Sequence, residues 1–142
     1  MALRAHAAVA APQECCGALL ARAGADSPPV RVEIAMPLRN VAARPEREFL
    51  IEAAQVRELE RSASRNGWDV VGFYHSHPDG LTEPSLVDLQ AAWPHYVHVI
   101  VTEGALAAWR LRGDRSGFDP VALLAAVDAR LDAPRPAEEP LP

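Results

Sequence analysis

A short run of mostly β-branched and aromatic residues, Asp69-Val70-Val71-Gly72-Phe73-Tyr74, leads straight into His75-Ser76-His77-Pro78, and this junction constrains the chain more than any other stretch. The run is too brief for a buried helix and suits a buried strand that carries the histidines out of its end. Residues two apart on a strand point the same way, about 6.6 Å apart along the backbone at ~3.3 Å per residue. Two imidazole arms can therefore converge on one ion.

A helix start follows. Pro84-Ser85-Leu86-Val87-Asp88 puts a hydroxyl at an N-cap position and a carboxylate three residues later, the spacing of a capping box, and Leu86, Leu89 and Trp93 continue as an apolar stripe. Ser85 and Asp88 then share one face of the first turn. Two neutral histidines and one carboxylate, with a fourth position left to water, form a ligand set of the catalytic zinc type; a structural zinc fills all four positions with protein groups. Capping alone explains a Ser-x-x-Asp, and a His-x-His at a strand end is often simply solvated. Joined in order, with Pro78 stopping the strand and a short loop bringing the helix back, the four residues read as one site. Ser85 can cap the helix and face a reaction at once.

A zinc hydrolase also needs a proton carrier, because zinc lowers the pKa of bound water from ~15.7 to about 7 and a nearby carboxylate takes the proton. Glu14, Glu33, Glu48, Glu52 and Glu83 are all candidates. Glu14 differs in abutting the apolar run from Cys15 to Ala21, where burial raises a carboxylate's pKa toward the working range. Its plainer role is an exposed residue at a strand start.

The spacing His75-Ser76-His77-Pro78, six residues, Ser85, two residues, Asp88 resembles the signature of the JAMM (MPN-plus) zinc metallopeptidases at every defining position. Upstream, Pro12-Gln13-Glu14-Cys15-Cys16-Gly17-Ala18-Leu19-Leu20 is similar to the small bacterial members, in which a glutamate precedes a cysteine-glycine-leucine run. The resemblance implies one Zn2+ per chain on His75, His77 and Asp88, Ser85 as stabiliser of the tetrahedral intermediate, and Glu14 as acid/base. It implies an (iso)peptidase cutting after the C-terminal Gly-Gly of a ubiquitin-like or sulfur-carrier protein, including a carrier released from an attached cysteine. Only ten or so residues separate Asp88 from the next strand, which favours a minimal bacterial type over one with substrate-sensing insertions. Two other readings stand beside it: a metal-free MPN-type interaction scaffold, and a zinc hydrolase of a small amide or a deaminase. The deaminase signature of His-x-Glu with Pro-Cys-x-x-Cys is missing from the chain.

The remaining pattern is that of one α/β domain over residues 1–131. A helix is expected from Leu3 to Ala10, strands over Cys15–Ala21 and Val30–Leu38 around the turn-rich Gly24–Pro29, and a polar connection over Arg39–Glu48. Ala53, Val56, Leu59 and Ala63 predict a helix over Glu52–Asn66 stopped by Gly67. Tyr96–Val101 and Leu106–Leu111 read as a hairpin turning at Glu103-Gly104. Pro120–Leu131 reads as a last helix, and the proline-rich 132–142 as a flexible tail. The family resemblance, spanning Leu3 to Leu111, implies a cytidine-deaminase-like three-layer sandwich with a mixed, largely antiparallel sheet.

Other polar and aromatic residues read as bystanders. His95 and His98 fall on opposite strand faces, His6 is expected to face solvent from an alanine-rich helix, and Trp93 and Trp109 are expected to pack. Cys15 and Cys16 are adjacent, where a disulfide would be strained, and are expected to be buried free thiols. Whether Asn40 and the Arg47-Glu48-Phe49 stretch help form the substrate groove is left open by the sequence. A net charge of −5 with no run of Lys or Arg argues against nucleic acid as a partner. No apolar stretch approaches the ~20 residues that cross a bilayer, and the start of the chain is too short and weakly hydrophobic for a signal peptide. No membrane partner and a cytoplasmic location are the expectation.

Overall fold

A computed structural model of the chain describes residues 2–24 and 28–124. In chain order it contains α1 (Ala2–Ala10), β1 (Cys16–Arg22), β2 (Ile34–Leu38), α2 (Ala53–Arg65), β3 (Trp68–Ser76), α3 (Leu86–Ala91), β4 (Val97–Val101), β5 (Leu106–Leu111) and β6 (Phe118–Val121). The strands form one sheet in the order β2-β1-β3-β4-β5-β6. Every neighbouring pair is antiparallel except β3 with β4. A parallel pair cannot be joined by a tight turn and needs a crossover. Here that crossover, residues 77–96, carries the helix of Ser85 and Asp88.

Strand alternation sorts the core into two halves. Cys16, Ala18 and Leu20 of β1 pack with Phe73 against Val56, Leu59 and Ala63 of α2. Cys15 and Leu19 point the other way and pack with Tyr74, Val99, Val101 and Ala108, against which Leu3, Ala7 and Ala10 of α1 lie. The result is the expected mixed α/β sandwich of three layers. Because both faces of β1 are covered, six consecutive residues from Cys16 to Ala21 are buried, which is why that stretch is continuously apolar rather than alternating. Among the described residues no helix is long and apolar enough to cross a membrane.

The elements match the sequence-based boundaries closely, with instructive exceptions. β3 runs two residues past Tyr74, so that His75 lies within the strand and the His77 amide still donates to Val101 O (2.9 Å). β2 starts only at Ile34. α3 ends at Ala91, short of Trp93, because Trp93 precedes Pro94 and that position disfavours helix; Leu86, placed on the apolar stripe, is 70% exposed. The expected helix from Pro120 does not form within the described residues: Phe118–Val121 pairs with β5, Leu111 opposite Phe118 and Trp109 opposite Pro120. Proline is compatible with both readings, and on an outermost strand its missing N–H costs no ladder bond when it faces outward. The rest of that helix, and the tail over 132–142, lie outside the described residues. His6 is not solvent-facing, for its Nδ1 is 2.9 Å from the hydroxyl of the fully buried Tyr74. Cys15 and Cys16 are free and buried, as expected.

Gly17 shows how tight the central pairing is. It sits opposite Pro37 on one side and Tyr74 on the other, and a Cβ there would run into the Met36 carbonyl and the Tyr74 ring. Overpacking of this kind costs about 1–3 kcal/mol. Gly17→Ala is expected to lower unfolding stability by at least ~2 kcal/mol, read as a shift in the urea midpoint at unchanged slope.

Candidate metal centre

The antiparallel register sets the geometry. Cys16 pairs with His75, and beyond the strand ends the same alignment continues: Cys15 N donates to Ser76 Oγ (2.8 Å) and Ser76 N to Cys15 O (3.0 Å). Glu14 and His77 are the next residues on the two segments, close enough for the His77 charge to act on the Glu14 carboxyl. Ser76, the middle residue of the His-Ser-His run, thus has a structural task that the sequence did not reveal. It fastens the lead-in of β1 to the tip of β3.

His75 and His77 are buried and two apart, so their rings leave the same face of β3, with Nε2 atoms 3.0 Å apart. Asp88 comes in from α3, with Oδ1 3.2 Å from His75 Nε2 and Oδ2 3.0 Å from His77 Nε2. A tetrahedral ion with bonds of ~2.0–2.1 Å holds its donor atoms about 3.3 Å apart, so the three separations fit. Protonation chemistry points the same way. His77 Nδ1 lies 2.8 Å from Leu81 O; a carbonyl only accepts, so this nitrogen carries the proton and a neutral ring leaves Nε2 bare. That lone pair faces a carboxylate oxygen and a second imidazole nitrogen, an arrangement that repels unless a proton or cation lies between them. Among the described residues the three side chains form a group able to hold a metal ion, and with no fourth protein donor a coordination position stays open.

The electrostatics reflect this crowding. Burial lowers the pKa of His75. Burial also acts to lower His77, but the hydrogen bond and charge of Asp88 outweigh it and raise the pKa. For Asp88 burial opposes ionisation, yet its bonds to both imidazoles hold the carboxyl well below the usual carboxylate range. The triad therefore presents an ionised carboxylate to both imidazoles.

α3 has only six residues, too few to be stable alone, and is held at both ends. Ser85 Oγ accepts from Asp88 N (3.1 Å) and Asp88 Oδ2 accepts from Ser85 N (2.8 Å), the capping box expected from sequence. At the other end the Arg115 guanidinium donates to Leu89 O, Gln90 O and Ala92 O at 3.1–3.3 Å, satisfying carbonyls that a helix C-terminus leaves unpaired. No local pattern announces Arg115, which lies 27 residues from Asp88. The loop 79–84 is also tied down: Trp109 Nε1 donates to Thr82 O (2.9 Å), and Leu81 N to Asp79 Oδ1 (3.0 Å). Trp109 is thus a tether for that loop. Trp93 packs on Phe73 and Tyr96 as expected.

Phe49 is a second residue without a sequence signal. Its ring stacks on His75 at 4.3 Å and 21°, and together with Trp93 and Phe118 it walls an apolar cleft against His75 and Asp88. His98 also lines this cleft, but its Nε2 is 3.0 Å from Trp93 O and it stands apart from the triad. His95 is exposed. Neither joins the metal group.

Glu14 is buried, at 6% exposure, rather than exposed at a strand start, and its Oε2 makes no hydrogen bond among the described residues. Burial pushes its pKa up to about 7, with the His77 charge pulling it down and the Asp88, Asp79 and Glu48 charges adding to the rise. Of the other glutamates, Glu33 and Glu48 pair with Arg22 and Arg44 on the surface. Glu52 sits at the start of α2 and Glu83 is exposed.

The raised pKa carries a stability consequence. With a folded pKa near 7 against 4.5 when unconstrained, the folded state binds the proton more tightly, so metal-free stability falls as pH rises from 4.5 to 7. Glu14→Gln removes this penalty. In chelator-treated protein the variant is expected to match the parent at pH 4 and to exceed it by about 3 kcal/mol at pH 8, measured by urea unfolding at both pH values.

A family described as prokaryotic homologs of the JAB domain matches residues 1–112. The chain is 36% identical over 105 residues to the desampylase of Haloferax volcanii, covering 72% of this chain and 73% of that protein. It is 30% identical to a Thermus thermophilus protein named "Probable TtuB-protein conjugate cleaving protease", covering 73% of this chain and 66% of that one. The solution structure of protein DSY2949 from Desulfitobacterium hafniense superposes with a TM-score of 0.73 at 27% identity, covering 92% of this chain and 89% of that one.

Proposed function

The chain belongs to the family of prokaryotic homologs of the JAB domain, and from that membership we propose that it is a zinc-dependent isopeptidase that hydrolyses the amide bond after the C-terminal Gly-Gly of a ubiquitin-like or sulfur-carrier protein. One observation carries the reading: two imidazole Nε2 atoms and a carboxylate converge within 3.0–3.2 Å beside a buried carboxylate that makes no hydrogen bond of its own among the described residues. The names of the two relatives, a desampylase and a conjugate-cleaving protease, support a protein conjugate as substrate. So does the rim. Leu50, Leu81 and Leu86 are more than half exposed on the three segments that surround the triad, an apolar border suited to a protein surface rather than a small amide.

His75, His77 and Asp88 would hold the ion, and Zn2+ there would supply a Lewis acid able to lower the pKa of water from ~15.7 to about 7 and to polarise a carbonyl. Glu14 takes a proton from the water whose oxygen adds to the scissile carbonyl and delivers it to the amine as the carbon–nitrogen bond breaks, and burial, by raising its carboxyl above the ordinary carboxylate range, suits it to both tasks. Ser85 Oγ accepts from the Asp88 amide, so its own proton remains to be donated to the carbonyl oxygen as negative charge develops there. A diglycine tail has no side chains to obstruct its approach and can lie extended beside the strand tip.

The test is incubation of zinc-loaded protein with a ubiquitin-like carrier extended beyond its diglycine by a short peptide, followed by mass spectrometry. Cleavage after the second glycine is expected, lost on chelation and restored by zinc. Glu14→Gln should retain zinc and lose turnover at least ~100-fold, whereas His77→Ala should fail to retain the metal. Cleavage that survives metal removal, or wild-type turnover in Glu14→Gln, would refute the assignment.

A further inference from the structure

Asn40 lies in the connection between β2 and α2, remote in sequence from every residue of the triad, yet all four hydrogen-bonding positions of its carboxamide are occupied by backbone. Its Nδ2 donates to Glu14 O (3.0 Å) and to Glu48 O (3.1 Å). Its Oδ1 accepts from Ala42 N (3.0 Å) and Leu50 N (3.1 Å). An asparagine amide has two protons and two lone pairs, so nothing is left over. The connection closes on itself through Val41 N to Leu50 O (2.9 Å) and grips Glu14 a second time through Glu14 N to Pro45 O (2.7 Å). Both peptide groups of Glu14 are therefore held by the 40–50 segment, and one of the two is held by the Asn40 side chain itself.

The same segment bears Phe49, whose ring stacks on His75. One amide thus joins the backbone of the buried carboxylate to the loop that braces an imidazole of the triad. We propose that Asn40 is the positioning residue of this site: it locks Glu14 and the Phe49-bearing loop into one unit and so sets where the Glu14 carboxylate stands relative to His75 and His77. The inference rests on the isopeptidase reading for its catalytic consequence, though not for the geometry itself. With its whole carboxamide committed to backbone groups, Asn40 acts through Glu14. A displacement of ~1 Å in a reacting group is worth roughly 100-fold in rate, which is the scale at which such a lock matters.

Two variants test it together. Asn40→Asp keeps the acceptor bonds to Ala42 N and Leu50 N but loses the donor bonds to Glu14 O and Glu48 O; Asn40→Ala loses all four without adding charge. For zinc-loaded, folded protein both are expected to lower kcat by roughly 10- to 100-fold at near-constant KM and unchanged zinc content. Combined with Glu14→Gln, neither should lower turnover further, because the residue acts through Glu14. A purely architectural role predicts a lower melting temperature with wild-type kcat, or losses that add to those of Glu14→Gln, and either result overturns the proposal. Hydrogen exchange read on the metal-free protein gives an answer that does not depend on activity. The Glu14 amide should exchange faster in both variants while the amides of Gly17 to Leu20 stay protected; unchanged protection at Glu14 overturns the proposal even if no conjugate is cleaved. Absence of cleavage by the wild-type protein with accelerated Glu14 exchange in the variants would refute the isopeptidase reading and leave the lock intact.

Discussion

The backbone pairing of β1 with β3 joins residues 46 to 59 positions apart, and most of what this molecule has depends on that alignment. It places Cys16 against His75 and, one step further along, Cys15 against Ser76, which brings the lead-in bearing Glu14 to the strand tip bearing His77. It also divides the core, because residues of β1 alternate between the α2 layer and the α1 layer. A shift by one residue would exchange the two faces of the strand. The carboxylate would then leave the side of the sheet on which the imidazoles project, and apolar residues would lose both of their covers together. Gly17 enforces the alignment sterically, since only a residue without a side chain admits Tyr74 at that position.

Around this pairing the site is built from parts that are weak singly. A six-residue helix, a loop and a strand tip do not hold a geometry by themselves. Each is fastened by a side chain from elsewhere: α3 by its capping box and by Arg115, the 79–84 loop by Trp109, the lead-in of β1 by Ser76, and the 40–50 segment by Asn40. Supporting groups of this kind are what hold donor atoms within a few tenths of an ångström of a productive arrangement. Burial then does the electrostatic work. At Asp88 it opposes ionisation and is outweighed by the two imidazoles that face the carboxylate, and at Glu14, where no hydrogen-bond partner offsets it, it raises the carboxyl toward neutrality.

Much of this was legible in the chain. The His75-Ser76-His77 run and the Ser85-x-x-Asp88 helix start are local patterns whose chemistry does not depend on distant residues, and the structure brings them together as spacing alone suggested. The β4–β5 hairpin and α2 likewise follow from periodicity and turn residues. Misreadings occurred where local propensity was outvoted by an available partner. Phe118–Val121 became a strand because the outer edge of β5 offered backbone pairing, and His6 turned inward because the Tyr74 hydroxyl lay within reach of α1.

By itself the sequence determined which residue types can bind an ion, which stretches are continuously apolar, and that a strand and a helix start adjoin at the motif. Those properties arise within a few residues of one another, where spacing dictates direction. The apolar neighbours of Glu14 already set it apart from the other four candidates, but only the tertiary structure decided that its Oε2 would be buried without a hydrogen bond among the described residues, that Phe49 would brace His75, and that Asn40 and Arg115 would secure the two halves of the site. Each of those contacts links segments tens of residues apart, and no local period records which distant backbone a side chain will meet once the layers close.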